Sequence, residues 1–152
     1  MHPSPVLTPS SLSWGHNLFC EVCSSLLLEG YAVRFSAPGR SMYPTILDGD
    51  AVTVHPVKES VIRRGHILLC RYKGRVIAHR VVRIERRDGN TPLYTLRGDS
   101  HGAPEEVVDA GDVLGMVRSV ERSGRSIDVS RRQPSLPRIA RSLVSRIARL
   151  LS

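Results

Sequence analysis

Between residues 31 and 129 glycine, proline and aspartate cut the chain into short apolar runs, and this punctuation restricts its fold more than any other feature. Residues 31–35, 50–55, 66–72, 75–85, 93–97, 113–121 and 126–129 are rich in β-branched and apolar side chains and read as strands. Lys73-Gly74 suits a two-residue hairpin turn, and residues 87–90 suit a longer hairpin loop. Many short strands joined by tight turns, with few helices, predict a mainly β fold built as a coiled antiparallel domain.

Two segments depart from that texture. Within residues 12–28, Leu18, Phe19, Val22, Cys23, Leu26 and Leu27 recur at three- and four-residue spacing, the pattern of an amphipathic helix, and Gly30 is a natural stop. His16, Asn17 and Glu21 interrupt it, so it falls short of a bilayer span. Past a linker at residues 133–137, residues 138–151 place Ile139, Leu143, Val144, Ile147, Leu150 and Leu151 on one side of a helix. Arg138, Arg141, Arg146 and Arg149 fall on the other. Residues 1–10, rich in Pro, Ser and Thr, read as a disordered leader with no basic segment ahead of an apolar run, so export by that route is not expected. The expected organisation is therefore a leader at 1–10, a β domain with its N-terminal helix at 11–130, and a linker with a basic amphipathic helix at 131–152.

At 152 residues the chain suits one domain, and 41% hydrophobic residues can form a core. Its net charge of +8 first suggests nucleic acid, but the charge is unevenly placed. Residues 118–152 carry nine Arg and two acids, a charge of +7, whereas residues 1–117 carry thirteen basic and twelve acidic groups, or +1. A near-neutral body is not expected to bind nucleic acid. The basic helix suits peripheral contact with an anionic membrane, an acidic partner, or its own domain. The expected location is membrane-associated through that helix, on either side of the bilayer, or cytoplasmic if the chain is soluble.

Three cysteines, Cys20, Cys23 and Cys70, cannot make a disulfide framework. A lone Cys20-x-x-Cys23 lacks the two further ligands zinc would need, so no metal and no cofactor are expected, and buried thiols are the ordinary reading.

Residues 37–50, Ala-Pro-Gly-Arg-Ser-Met-Tyr-Pro-Thr-Ile-Leu-Asp-Gly-Asp, are the most informative stretch. Pro38, Gly39 and Pro44 hold Ser41 in a rigid loop between two strand-like runs, where a hydroxyl can be presented beside backbone N–H groups. Alone, a serine between such residues is an ordinary surface turn. The wider pattern is more specific. Gly39-x-Ser41-Met42-x-Pro44-Thr45 is followed by Gly49-Asp50, Arg64-Gly65-His66, Ile77-Ala78-His79-Arg80-Val81-Val82, Leu96-Arg97-Gly98-Asp99-Ser100 and Val113-Leu114-Gly115. These boxes, spread over residues 35–121, resemble the type I signal peptidase family and its S24/S26-like serine peptidase relatives, and the resemblance implies a β domain of signal-peptidase or LexA-like type.

The resemblance implies a serine endopeptidase that cleaves leader or signal-like peptides or preproteins. Ser41 would be the nucleophile and His79, in place of the lysine of many bacterial members, the general base. Histidine also suits this task on chemical grounds, since its imidazole exchanges protons near neutrality. Asp99, in the Gly-Asp box, and Glu105 are rivals for orienting His79; a turn-capping role would fit Asp99 equally well. The loop residues Gly39, Ser41, Met42 and Pro44 are expected around the oxyanion and the substrate. Many relatives carry a helper serine where this chain has Gly39, which implies a largely main-chain oxyanion site. His66 is expected at the rim, and Lys73 is the candidate for an alternative Ser-Lys pair. A regulatory relative, self-cleaving or non-catalytic, whose Arg-rich C-terminal helix binds membrane, an acidic partner or nucleic acid, is the other function class open at this point.

Overall fold

The computed structural model describes residues 6–7 and 15–130. The proposed basic helix at 138–151 lies outside the described residues. One helix, α1 (Gly15–Leu28), is followed by a single sheet comprising β2 (Val33–Ser36), β3 (Ala51–His55), β4 (Ile67–Tyr72), β5 (Arg75–Arg86), β6 (Pro92–Arg97), β7 (Glu105–Asp109), β8 (Val113–Arg122) and β9 (Arg125–Asp128). A two-residue strand, β1 (Val6–Leu7), pairs in parallel with β2, inside the stretch expected to be a disordered leader. Every other pairing is antiparallel, in the order β1-β2-β3-β8-β4-β5-β6-β7, with β9 on β8. Among the described residues the fold is mainly β, a curled antiparallel sheet with one α-helix. β4 and β7 come into contact although β5 and β6 separate them in the ladder, so the sheet curls toward a half-barrel at that end.

The helix ends as its sequence suggests. Gly30 takes φ +91°, and the N–H groups of Gly30 and Tyr31 donate to the carbonyls of Leu27 and Leu26, which closes the last turn. Lys73 and Gly74 both adopt positive φ in the β4–β5 turn, the conformation that matches strand twist in a two-residue hairpin.

Both faces of the sheet are covered. On one, Cys23 and Leu27 of α1 pack with Val33, Phe35, Val52, Val54, Ile67, Leu69, Val117 and Val120. Phe19 meets Phe35 edge-on at 5.0 Å. On the other, Leu68, Cys70, Ile77, Val81, Tyr94, Leu96, Val108 and Met116 form a second core inside the curl. The unbroken apolar run of β4 follows from this, because alternate residues enter different cores. β7 was not among the expected strands. Its sequence, Glu-Glu-Val-Val-Asp, looks like a solvated loop, yet it pairs with β6 from Leu93↔Asp109 to Arg97↔Glu105.

Candidate active site

The serine loop is built by local closure. Ala37 N–H donates to Asp50 O and Gly49 N–H to Ala37 O, each at 2.8 Å, so the loop leaves β2 and re-enters β3 through a narrow neck. Gly39, at φ +91°, donates its N–H to Asp48 Oδ1 at 2.8 Å. A helical turn follows, with Ile46 N–H bonded to Met42 O at 3.0 Å. Met42 and Ile46 are buried in the first core while Ser41 between the loop's arms stays exposed. Two apolar anchors thus fix the turn that carries Ser41.

His79 arrives from β5. Its ring is on the same face as Ile77 and Val81, toward the second core, and only 8% of the residue is exposed. Nε2 lies 3.0 Å from Ser41 Oγ. Nδ1 is hydrogen-bonded to Oε2 of Glu106, which reaches across the curl from β7 and is 4% exposed. A carboxylate can only accept, so Nδ1 carries the donated proton and Nε2 is left to accept from the serine hydroxyl. Burial increases along the series Ser41, His79, Glu106, and the two contacts give the imidazole a fixed tautomer and orientation.

The acid beside His79 is Glu106, and neither Asp99 nor Glu105 holds that position. Successive side chains on a strand face opposite ways. Glu105 is exposed and lies near Arg83 and Arg97, at 3.7 and 3.8 Å, while Glu106 turns inward beside Val108. Asp99 makes a two-point contact with Arg80, from Nε at 2.8 Å and Nη2 at 2.6 Å, and accepts from Thr45 Oγ1. It thereby ties the serine loop to the residue that follows His79. Arg80 Nη1 also donates to Gly65 O at 2.7 Å. The signal for Glu106 was present in the parity of residues 106 and 108, but only a strand assignment for 105–109 could have used it.

A second clamp lies at the far end of the loop. Asp50 is buried, accepts from Leu47 N–H at 2.7 Å, and is gripped by the Arg122 guanidinium. The Arg122 hydrogen bonds hold its carboxyl below the usual range, against the opposing effect of burial.

Of the loop residues expected around an oxyanion, Gly39 has its N–H already committed to Asp48, Met42 has its side chain in the core, and Pro44 has no N–H to offer. The Ser41 N–H donates to no group among the described residues. Ser41 O accepts from Ser100 N–H at 3.0 Å. Lys73, the candidate for a Ser-Lys pair, is in the distant hairpin turn with its ammonium 5.2 Å from the centre of the Tyr72 ring. His66 Nδ1 accepts from Arg63 N–H, and partial burial, assisted by nearby arginines, lowers its pKa. The Cys23 thiol is pushed up to about 11 and that of Cys70 is raised further, burial being the main cause for both. Among the described residues no cluster of three or more His, Cys, Asp or Glu side chains could hold a metal ion, and no helix is long and apolar enough to cross a membrane.

No curated protein matches the chain. A family model described as Peptidase S24-like matches residues 21–96, half of the chain. That span runs from α1 through the serine loop and His79 to the end of the apolar part of β6, so it takes in both residues whose side chains meet at 3.0 Å. On that match the chain belongs to the S24-like peptidase family.

Proposed function

We infer that the protein is a serine endopeptidase whose catalytic groups are Ser41, His79 and Glu106. The observation that carries this reading is the relay in which His79 contacts Ser41 Oγ through Nε2 and buried Glu106 through Nδ1. In this mechanism Ser41 Oγ attacks the scissile carbonyl carbon and His79 Nε2 takes its proton. Glu106 accepts from Nδ1–H and offsets the positive charge that forms on the ring. The tetrahedral oxyanion is held by the Ser41 N–H, which has no competing acceptor among the described residues. His79 then returns the proton to the leaving amine, and water hydrolyses the acyl ester by the same relay in reverse.

The substrate class is a leader or signal-like peptide, or a preprotein, bound in extended form. The order of the sequence boxes and an exposed serine at the mouth of the loop support it. The Arg-rich segment at 131–152, with six Arg and no acid, would hold the enzyme at an anionic membrane surface.

A fluorophosphonate probe and a leader-type peptide test the reading. Wild-type protein is expected to be labelled at Ser41 and to cleave the peptide, and Ser41→Ala to lose both. Absence of labelling and cleavage in well-folded wild type would leave a non-catalytic regulator. Cleavage confined to its own chain would indicate the self-processing alternative.

A further inference from the structure

A recess of about 330 Å3 opens between the β4–β5 hairpin and β7, and the reaction described above does not use it. Three cations of the β4–β5 hairpin, Arg71, Lys73 and Arg75, border it within five residues, and Asp112 is the one acid among its lining residues. Arg71 is held in place by neutral partners, donating from Nε to Cys20 Sγ at 3.1 Å and from Nη2 to Ser24 Oγ at 2.6 Å. Lys73 rests over Tyr72. Arg75 is mostly exposed and reaches Glu106 Oε1 at a loose 3.9 Å, while the other oxygen of that carboxylate holds His79. Tyr72, Val107 and Val108 add an apolar wall.

We propose that this recess binds a phosphate monoester, with the phosphate on Arg71, Lys73 and Arg75 and the organic group against the apolar wall. Guanidinium groups match phosphate oxygens in paired hydrogen bonds, and neither arginine has a carboxylate at full hydrogen-bonding distance to compete. The volume suits a small organic ligand. Binding draws Arg75 from Glu106 and leaves the buried carboxylate without its outer cation. The recess is in this way a control point for the Ser41 site, and this coupling rests on the function inferred above.

Calorimetric titration with inorganic phosphate and with phenyl phosphate, at constant ionic strength set by chloride, tests the site. Saturable binding is expected, tighter for phenyl phosphate, and weakened at least about fivefold in Arg71→Gln and in Lys73→Gln. Lys73 occupies an exposed turn, so its variant remains informative if Arg71→Gln fails to fold. Equal binding by wild type and Lys73→Gln, or no saturation, overturns the site. Saturating phenyl phosphate is expected to lower kcat about two- to fivefold in wild type, and the concentration giving half of this effect is expected to rise at least about fivefold in Lys73→Gln. Binding with unchanged kcat overturns the coupling. The calorimetric arm needs no peptidase activity, so failure of the inferred function and failure of the site are told apart.

Discussion

Gly98 lies so close beneath Ser41 that a β-carbon at position 98 would sit 2.3 Å from the Ser41 carbonyl oxygen. The approach lets the Ser100 N–H bond to that same oxygen and so sets the height of the serine above the β6–β7 loop. The obstacle to a side chain is backbone, which cannot swing aside as a flexible side-chain tip would. Gly98→Ala should displace Ser41 from His79 and lower kcat/KM by roughly 100-fold, as expected for misplacement on the order of 1 Å. Fluorophosphonate labelling rates alongside circular dichroism would check it; an unchanged labelling rate contradicts the packing argument.

Glu105 and Glu106 are adjacent in sequence and opposite in role. Glu106→Gln keeps the size of the side chain but no longer supplies a charged acceptor for His79 Nδ1–H, and kcat should fall by roughly 10²- to 10⁴-fold with little change in KM. Glu105→Gln removes a solvated carboxylate and should keep activity within about twofold of wild type. Steady-state kinetics on the two variants decides between them, and a larger loss in Glu105→Gln would refute the assignment.

Asp99 fastens the loop that carries Ser41 to the strand that carries His79. Asp99→Ala leaves the Arg80 guanidinium, itself mostly buried, without its carboxylate and frees Thr45. Breaking such a pair should cost about 2 to 4 kcal/mol of stability, read in urea unfolding. Removing Arg80 and Asp99 together should cost less than the sum of the single losses, which a double-mutant cycle would measure.

The Asp50–Arg122 clamp has a defined pH signature. The folded carboxyl has its pKa below the ordinary aspartate value of about 3.8, so its stabilising contribution is complete well above that value. It declines as pH falls below about 4 and through the lower folded value, where the unfolded state binds the proton first. Wild type minus Asp50→Asn stability should therefore be flat between about pH 5 and 7 and shrink at lower pH. Urea unfolding from pH 2.5 to 6 gives the curve, and a difference independent of pH would remove Asp50 as its source.

Local chemistry was enough to determine much of this protein. Runs bounded by Gly, Pro and Asp specify strands, Lys73-Gly74 specifies a hairpin, and residues 39–45 specify a rigid turn that leaves Ser41 outside while Met42 and Ile46 are buried. An imidazole within an apolar strand must find a polar partner, which already marked His79. The partner's identity was decided only by tertiary structure. Glu106 lies 27 residues beyond His79, on a strand whose acidic sequence hides its pairing, and it reaches the imidazole only because the sheet curls until β7 approaches the interior of β4 and β5. The strand's two-residue repeat then turned Glu106 inward and Glu105 out to solvent, and the nearness of Arg80 engaged Asp99 as a clamp. Which of three acids meets a histidine depends on strand parity and long-range curvature, and neither is set by the residues around the acid itself.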